Sequence, residues 1–166
     1  MSCTDCIYVE GKRDGLLITS LGFGRKSYIV ADGKFKVLKS VGKSTKCVVG
    51  IIDEDPGSLN PSKDNGYLKE VRKCERYHFT VYIYKNDNCK VIIELEEILE
   101  GWIIGCAGND LLSKFNIPMD YNNYHRKPIN TNEEQFMKEF ADTCECAKEL
   151  KNIINLFISS KEINPC

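Results

Sequence analysis

The chain reads as an α/β protein, with a central, mainly parallel sheet flanked by helices and a further helix at the C-terminus, and three observations predict it. A short β-rich run, Cys6-Ile7-Tyr8-Val9, stops at Glu10-Gly11 and gives way to a helical stretch over 14–21, the strand-then-helix opening of a βαβ unit. Residues 47–52 are apolar without interruption, which suits a strand covered on both faces in the middle of a parallel sheet. The tail over 132–159 carries Phe136, Phe140, Cys144, Ala147, Ile154 and Phe157 as one apolar stripe at helical spacing.

The remaining elements follow in order. Residues 27–30 form a second short strand, and 34–41, with Phe35, Leu38 and Val41 on one side, an amphipathic helix. After Asp55-Pro56-Gly57 comes a polar loop over 58–65. The lysine- and arginine-rich stretch 67–76 is expected to be helical. Residues 79–84 and 90–94 read as strands, joined by a tight turn at Asn86-Asp87-Asn88 or continuing the sheet as neighbours. From 96 to about 112 the pattern is helical, with Ile98, Leu99, Trp102, Ile103 and Cys106 on one side, and 121–127 reads as a loop. Thr131 and Glu134 have the spacing of a capping box at the start of the tail helix. At 166 residues and 42% hydrophobic, the chain can bury one core, so a single domain over 1–166 is expected.

The chemistry gathers at strand ends. Ligands of open parallel sheets collect outside the carboxyl ends of the strands, where Glu10, Asp53 and Asp55 fall. Asp53 and Asp55, two apart on an extended backbone, point the same way. Such hard oxygen donors suit Mg²⁺ or Mn²⁺, which fill the rest of their shell with water and phosphate. Lys12 and Arg13 flank this position and are candidates for phosphate oxygens.

Val9-Glu10-Gly11-Lys12 with Asp14, the segment Ala31-Asp32-Gly33-Lys34, and Ile52-Asp53-Glu54-Asp55-Pro56-Gly57 together resemble the TOPRIM domain over roughly 6–84. That domain is shared by primases, topoisomerases, OLD-family nucleases and a ribosomal-RNA maturation nuclease, and the likeness here is to the OLD-nuclease or RNA-maturase kind. The resemblance implies a compact Rossmann-like, TOPRIM-like fold over 6–84, with 85–166 adding a hairpin or extra strand and a helical extension. It also implies Mg²⁺-dependent phosphodiester chemistry, with Glu10 as acid/base or ligand and Asp53 and Asp55 as ligands. Leu99-Glu100-Gly101-Trp102-Ile103 is similar to a segment of OLD-like nucleases whose glutamate helps build a second metal site, which implies a ligand role for Glu100. The chain lacks the extra modules of primases, topoisomerases and full OLD proteins, which leaves a small standalone TOPRIM-like protein, and the expectation is a metal-dependent nuclease or related phosphoryl-transfer protein acting on nucleic acid. The alternative is a TOPRIM fold kept as a non-catalytic nucleic-acid-binding module.

A net charge of -1 gives no global attraction to nucleic acid, so binding must rest on local cations. The candidates are Lys12 and Arg13, Lys69, Arg72 and Lys73 in the basic stretch, and Arg126 beside His125. Whether the substrate is DNA or RNA stays open, as does a partner protein or a homodimer through the tail helix. No apolar run approaches the ~20 residues of a membrane span and no secretory pattern opens the chain, so a soluble, cytoplasmic protein without membrane association is expected. Most of the nine cysteines, Cys47, Cys89 and Cys106 among them, are then expected to be reduced core residues. Gly42-Lys43-Ser44-Thr45 is no phosphate loop, because the required earlier glycine is absent and a strand follows. A zinc site from Cys3, Cys6, Cys144 and Cys146 is disfavoured, because i and i+2 within a helix diverge.

Overall fold

The computed structural model describes residues 7–54 and 66–159. It is an α/β protein built on one six-stranded sheet in the order β2-β1-β3-β6-β5-β4. The strands are β1 (Ile7–Val9), β2 (Tyr28–Val30), β3 (Val48–Asp53), β4 (Leu68–Cys74), β5 (Phe79–Tyr84) and β6 (Asp87–Leu95). The first three and β6 run parallel, whereas β6, β5 and β4 form an antiparallel meander. The helices are α1 (Lys12–Ser20), α2 (Lys34–Lys43), α3 (Leu99–Ala107), α4 (Asn109–Lys114), α5 (Tyr121–Arg126), α6 (Thr131–Thr143) and α7 (Glu145–Ser159).

The uniformly apolar strand is where its composition places it, with β1 on one side and β6 on the other, buried along nearly its whole length. Its two faces feed different layers. Val49 and Ile51 join the large core under α1, α3, α6 and α7, while Val48 and Ile52 meet Val37 and Val41 of α2 on the opposite face. Gly50 is required by this second layer. A Cβ there would stand 2.7 to 2.9 Å from side-chain carbons of Ile92, Val37 and Val41. Gly50→Ala is therefore expected to cost about 1–3 kcal/mol, the usual penalty of overpacking, read as a lower denaturation midpoint at unchanged slope.

Three expectations about elements are corrected. The basic stretch is a strand, β4, not a helix. Leu68, Val71 and Cys74 recur every third position because the register shifts between Glu70 and Arg72, so a bulge imitates helical spacing. The segment over 121–127 is mostly helix α5, capped by Asp120, whose carboxylate accepts the Asn123 N–H at 2.9 Å. The tail is two helices, α6 and α7, separated at Cys144, where ψ is 129°. Its N-cap is Asn130, bonded to the Glu133 N–H at 3.0 Å, one residue ahead of the expected Thr131. That shift turns Glu133 inward, 3% exposed, and leaves Glu134 outside.

Residues 87–95 are both the hairpin partner of β5 and an interior strand of the sheet, between β5 and β3. The β3–β6 pairing also sets Cys47 beside Cys89, and the two are joined as a disulfide, against the expectation that both are reduced. Among the described residues, no helix is long and apolar enough to cross a membrane.

Candidate functional site

The connection through α1 runs from β1 outward to β2, and the one through α2 returns across β1 to β3, so the two helices lie on opposite faces and the crevice between β1 and β3 is a switch point of the sheet. Glu10 follows β1 and Asp53 ends β3, which brings them together as the sequence predicts. The Asp53 N–H donates to Glu10 Oε1 at 2.8 Å, tying the two strand ends. From the β2 side, Gly33 donates its N–H to the Glu10 carbonyl at 3.1 Å from a backbone with φ 114°, a conformation that favours glycine.

Asp14 completes the group. Placed four residues after Glu10 in the first turn of α1, it accepts the Gly11 N–H at 2.9 Å through Oδ2, a capping contact at the positive end of the helix. Its other oxygen, Oδ1, is buried with no hydrogen-bond partner, and so is Oδ1 of Asp53. Burial, then the charges of neighbouring carboxylates, push both acids up. Asp14 rises to about 7, with Glu10 the main charge against it. Asp53 rises to about 9, with Asp14 the first of its charged neighbours, although the Leu99 backbone N–H at the start of α3 favours its ionised form. The cleft around them, about 450 Å³, is also lined by Lys12, Glu100, His125, Lys127 and Ile129.

Glu100 reaches this cleft, but Arg13 holds it. Arg13, 9% exposed, is bonded through its guanidinium to Glu100 at 2.6 Å, to Glu133 at 2.6 Å and to the Lys127 carbonyl at 2.7 Å, with its Cζ 4.9 Å from the centre of the Tyr124 ring. Burial works against its charge, and the two glutamates outweigh burial and hold its pKa above the ordinary arginine value. Arg13 is thus a buried structural cation joining α1, α3, α5 and α6, a correction to its expected place at a phosphate. Glu100 also lies 3.0 Å from His125 Nδ1, and the imidazole is otherwise largely exposed at the cleft rim.

The other expected nucleic-acid contacts are dispersed. Lys12 is exposed at the cleft mouth. Arg126 is exposed on α5 but does not line the cleft. Lys69, Arg72 and Lys73 lie on β4, the opposite edge of the sheet from β1 and β2, where charged side chains also guard an edge strand. Arg72 pairs with Glu149 at 3.1 Å and Lys73 with Glu75 at 3.6 Å. Lys73 also lines a mainly acidic hollow, together with Glu54, Glu70, Glu94, Glu96 and Glu97. Glu94 there is raised to about 7 by burial and bonds the Tyr82 hydroxyl at 3.2 Å.

The donor set fits a hard divalent cation in its chemistry. It is all oxygen, and the orphaned oxygens of Asp14 and Asp53 are what a cation would satisfy. Among the described residues, however, no group of three or more His, Cys, Asp or Glu side chains stands ready to hold a metal ion. Asp55, the expected third ligand, lies outside the described residues. The acid that sequence reasoning left without a role is Asp14, whose signal was its place one helical turn beyond Glu10. Glu133 and Lys127 carried no local signal at all. Compared with family models, curated proteins and solved structures, the chain matches none.

Proposed function

We propose that this protein is a Mg²⁺- or Mn²⁺-dependent phosphodiesterase acting on nucleic acid, a small nuclease of the TOPRIM kind. The observation that carries the reading is the pair of buried, unsatisfied carboxylate oxygens on Asp14 and Asp53 beside Glu10 at a sheet switch point. Buried acids that repel one another and lack donors are unfavourable in folding terms, and a cation is the partner that makes such a cluster favourable.

Glu10, Asp14 and Asp53 would hold the cation, which supplies charge stabilisation to a phosphodiester and lowers the pKa of a bound water. The chain's own groups do the rest. Asp53 would hold the cation through its ionised carboxylate, and Glu10 keeps the ends of β1 and β3 in register through the Asp53 N–H. Lys12 at the mouth offers its ammonium to a non-bridging phosphate oxygen, and Leu99 donates its N–H to Asp53 and orients that carboxylate.

One observation favours a second reading, a binding module without catalysis. Glu100, the candidate for a second metal, is consumed by Arg13 at 2.6 Å. The test is a cleavage assay on labelled single- and double-stranded DNA and RNA with Mg²⁺ or Mn²⁺, with Glu10→Gln and Asp53→Asn beside the unaltered protein. Metal-dependent cutting lost in both variants, by at least a hundredfold, is the expected result. Binding without cutting under every metal and substrate moves the conclusion to the binding module.

A further inference from the structure

A second concavity, about 710 Å³, opens directly from the carboxylate cleft, with Lys12 and Ile129 belonging to both. It runs along α1 toward the turn before β2 and is walled on the far side by α6. Lys12, Arg25 and Lys138 bring three cations to it, against Glu134. All three cations are exposed and make no ion pair among the described residues. Tyr28 and Ile129, the latter 38% exposed, add an aromatic and an aliphatic surface.

Charge on the two sides of the cleft is opposite in sign. Toward β4 lies the hollow with five glutamates against the single cation Lys73, and toward α6 lies this cationic groove. A polyanion reaching the cleft is repelled from the first and attracted along the second. Cations that track a backbone, with an aromatic side chain in the wall of the groove, suit a single strand held without reading its sequence.

We infer that the groove between α1 and α6 is the lane for a single phosphodiester strand, whose backbone is held by Lys12, Arg25 and Lys138 as it leaves the carboxylate cleft. This rests on the proposed nucleic-acid function and names where and how its substrate binds. Lys69, Arg72 and Lys73 lie on β4 at the far sheet edge and do not line that lane.

The experiment is fluorescence anisotropy of labelled oligonucleotides, single-stranded DNA, single-stranded RNA and duplex DNA, in Ca²⁺ and in chelator, at ~50 and ~200 mM salt. The proteins are the unaltered chain, Arg25→Glu/Lys138→Glu, and Lys69→Glu/Lys73→Glu. Expected is preference for single strands, a loss of roughly tenfold or more in the groove variant, and a salt slope lower by about 1.4, at about 0.7 per lost contact on a single strand. Thermal melting and Mn²⁺ titration of the groove variant should match the unaltered protein, since neither substituted residue touches the carboxylates. Unchanged affinity in the groove variant, a larger loss in the β4 variant, or preference for duplex overturns the lane while leaving the nuclease reading intact. Absence of any oligonucleotide binding overturns the lane too, and Mn²⁺ binding retained in that case separates its failure from that of the metal site.

Discussion

Asp53→Asn is expected to make the metal-free protein more stable at pH 8 while abolishing its stabilisation by Mn²⁺. Asp53 titrates at about 9 and Asp14 at about 7 in the folded chain, against about 3.9 for an ordinary aspartate. Both shifts are upward, so between pH 4 and 9 the folded state binds more protons than the unfolded one. The contribution of these groups is fully present below pH 4 and is lost as pH rises through 7 and 9. Asparagine is neutral throughout and escapes that loss, although it can place an N–H₂ where an orphaned oxygen stood.

The gain at pH 8 should be on the order of 2–4 kcal/mol, and at pH 4 close to nothing. For a chain of 166 residues this is a rise of roughly 5–10 °C in melting temperature. Mn²⁺ at a hundredfold excess over its Kd adds about 2.7 kcal/mol to the unaltered protein, more at pH 8 than at pH 6 because the ligands must lose protons. Thermal melts at the two pH values with and without Mn²⁺ check both halves. Equal melting of the two proteins at pH 8 together with equal response to Mn²⁺ would remove the cation site from the account.

Arg13→Ala should be among the most destabilising single changes in this chain. It removes the one guanidinium set between Glu100 and Glu133, which are 4% and 3% exposed, and it leaves two carboxylates facing each other without their cation. Breaking a buried ion pair in this way costs about 3–5 kcal/mol, here a fall of roughly 10 °C or more. The pH dependence has a definite sign. Unpaired buried glutamates take raised pKa values, so the variant should recover stability as pH falls toward 5, whereas the unaltered protein gains less from that pair. Adding Glu133→Gln to Arg13→Ala should restore part of the loss, a non-additivity that a double-mutant cycle in urea measures. A loss under 1 kcal/mol would show that the network is dispensable to the fold.

Particular residues show why some of this was legible in one dimension. Glu10 and Asp53 could be placed together because each ends a strand whose type is written locally, Ile7-Tyr8-Val9 in one case and the unbroken apolar run of β3 in the other. Once both strands are parallel neighbours, their ends are side by side. Arg13 was misread for the opposite reason. Its neighbours Glu10, Lys12 and Asp14 suggest a phosphate site, while the carboxylates that claim it are 87 and 120 positions away. The β4 segment failed through register: a single bulge made a period of two resemble a period near three. Cys47 and Cys89 each look like small hydrophobes in apolar strands, and only the parallel pairing of β3 with β6 brings one thiol against the other.

Strand and helix alternation, the apolar central strand, the tail stripe and the carboxylates at strand ends were determined by the sequence alone, because periodicity and strand termini are properties of contiguous residues. Tertiary structure alone decided that β6 is interior, that Asp14 joins Glu10 and Asp53 with buried oxygens unsatisfied, that Glu100 is neutralised by Arg13, and that cations and acids separate to opposite sides of the cleft. Those features depend on which distant segments share a dry, low-dielectric space, where burial and charge set the energy, and no local pattern of residues encodes that adjacency.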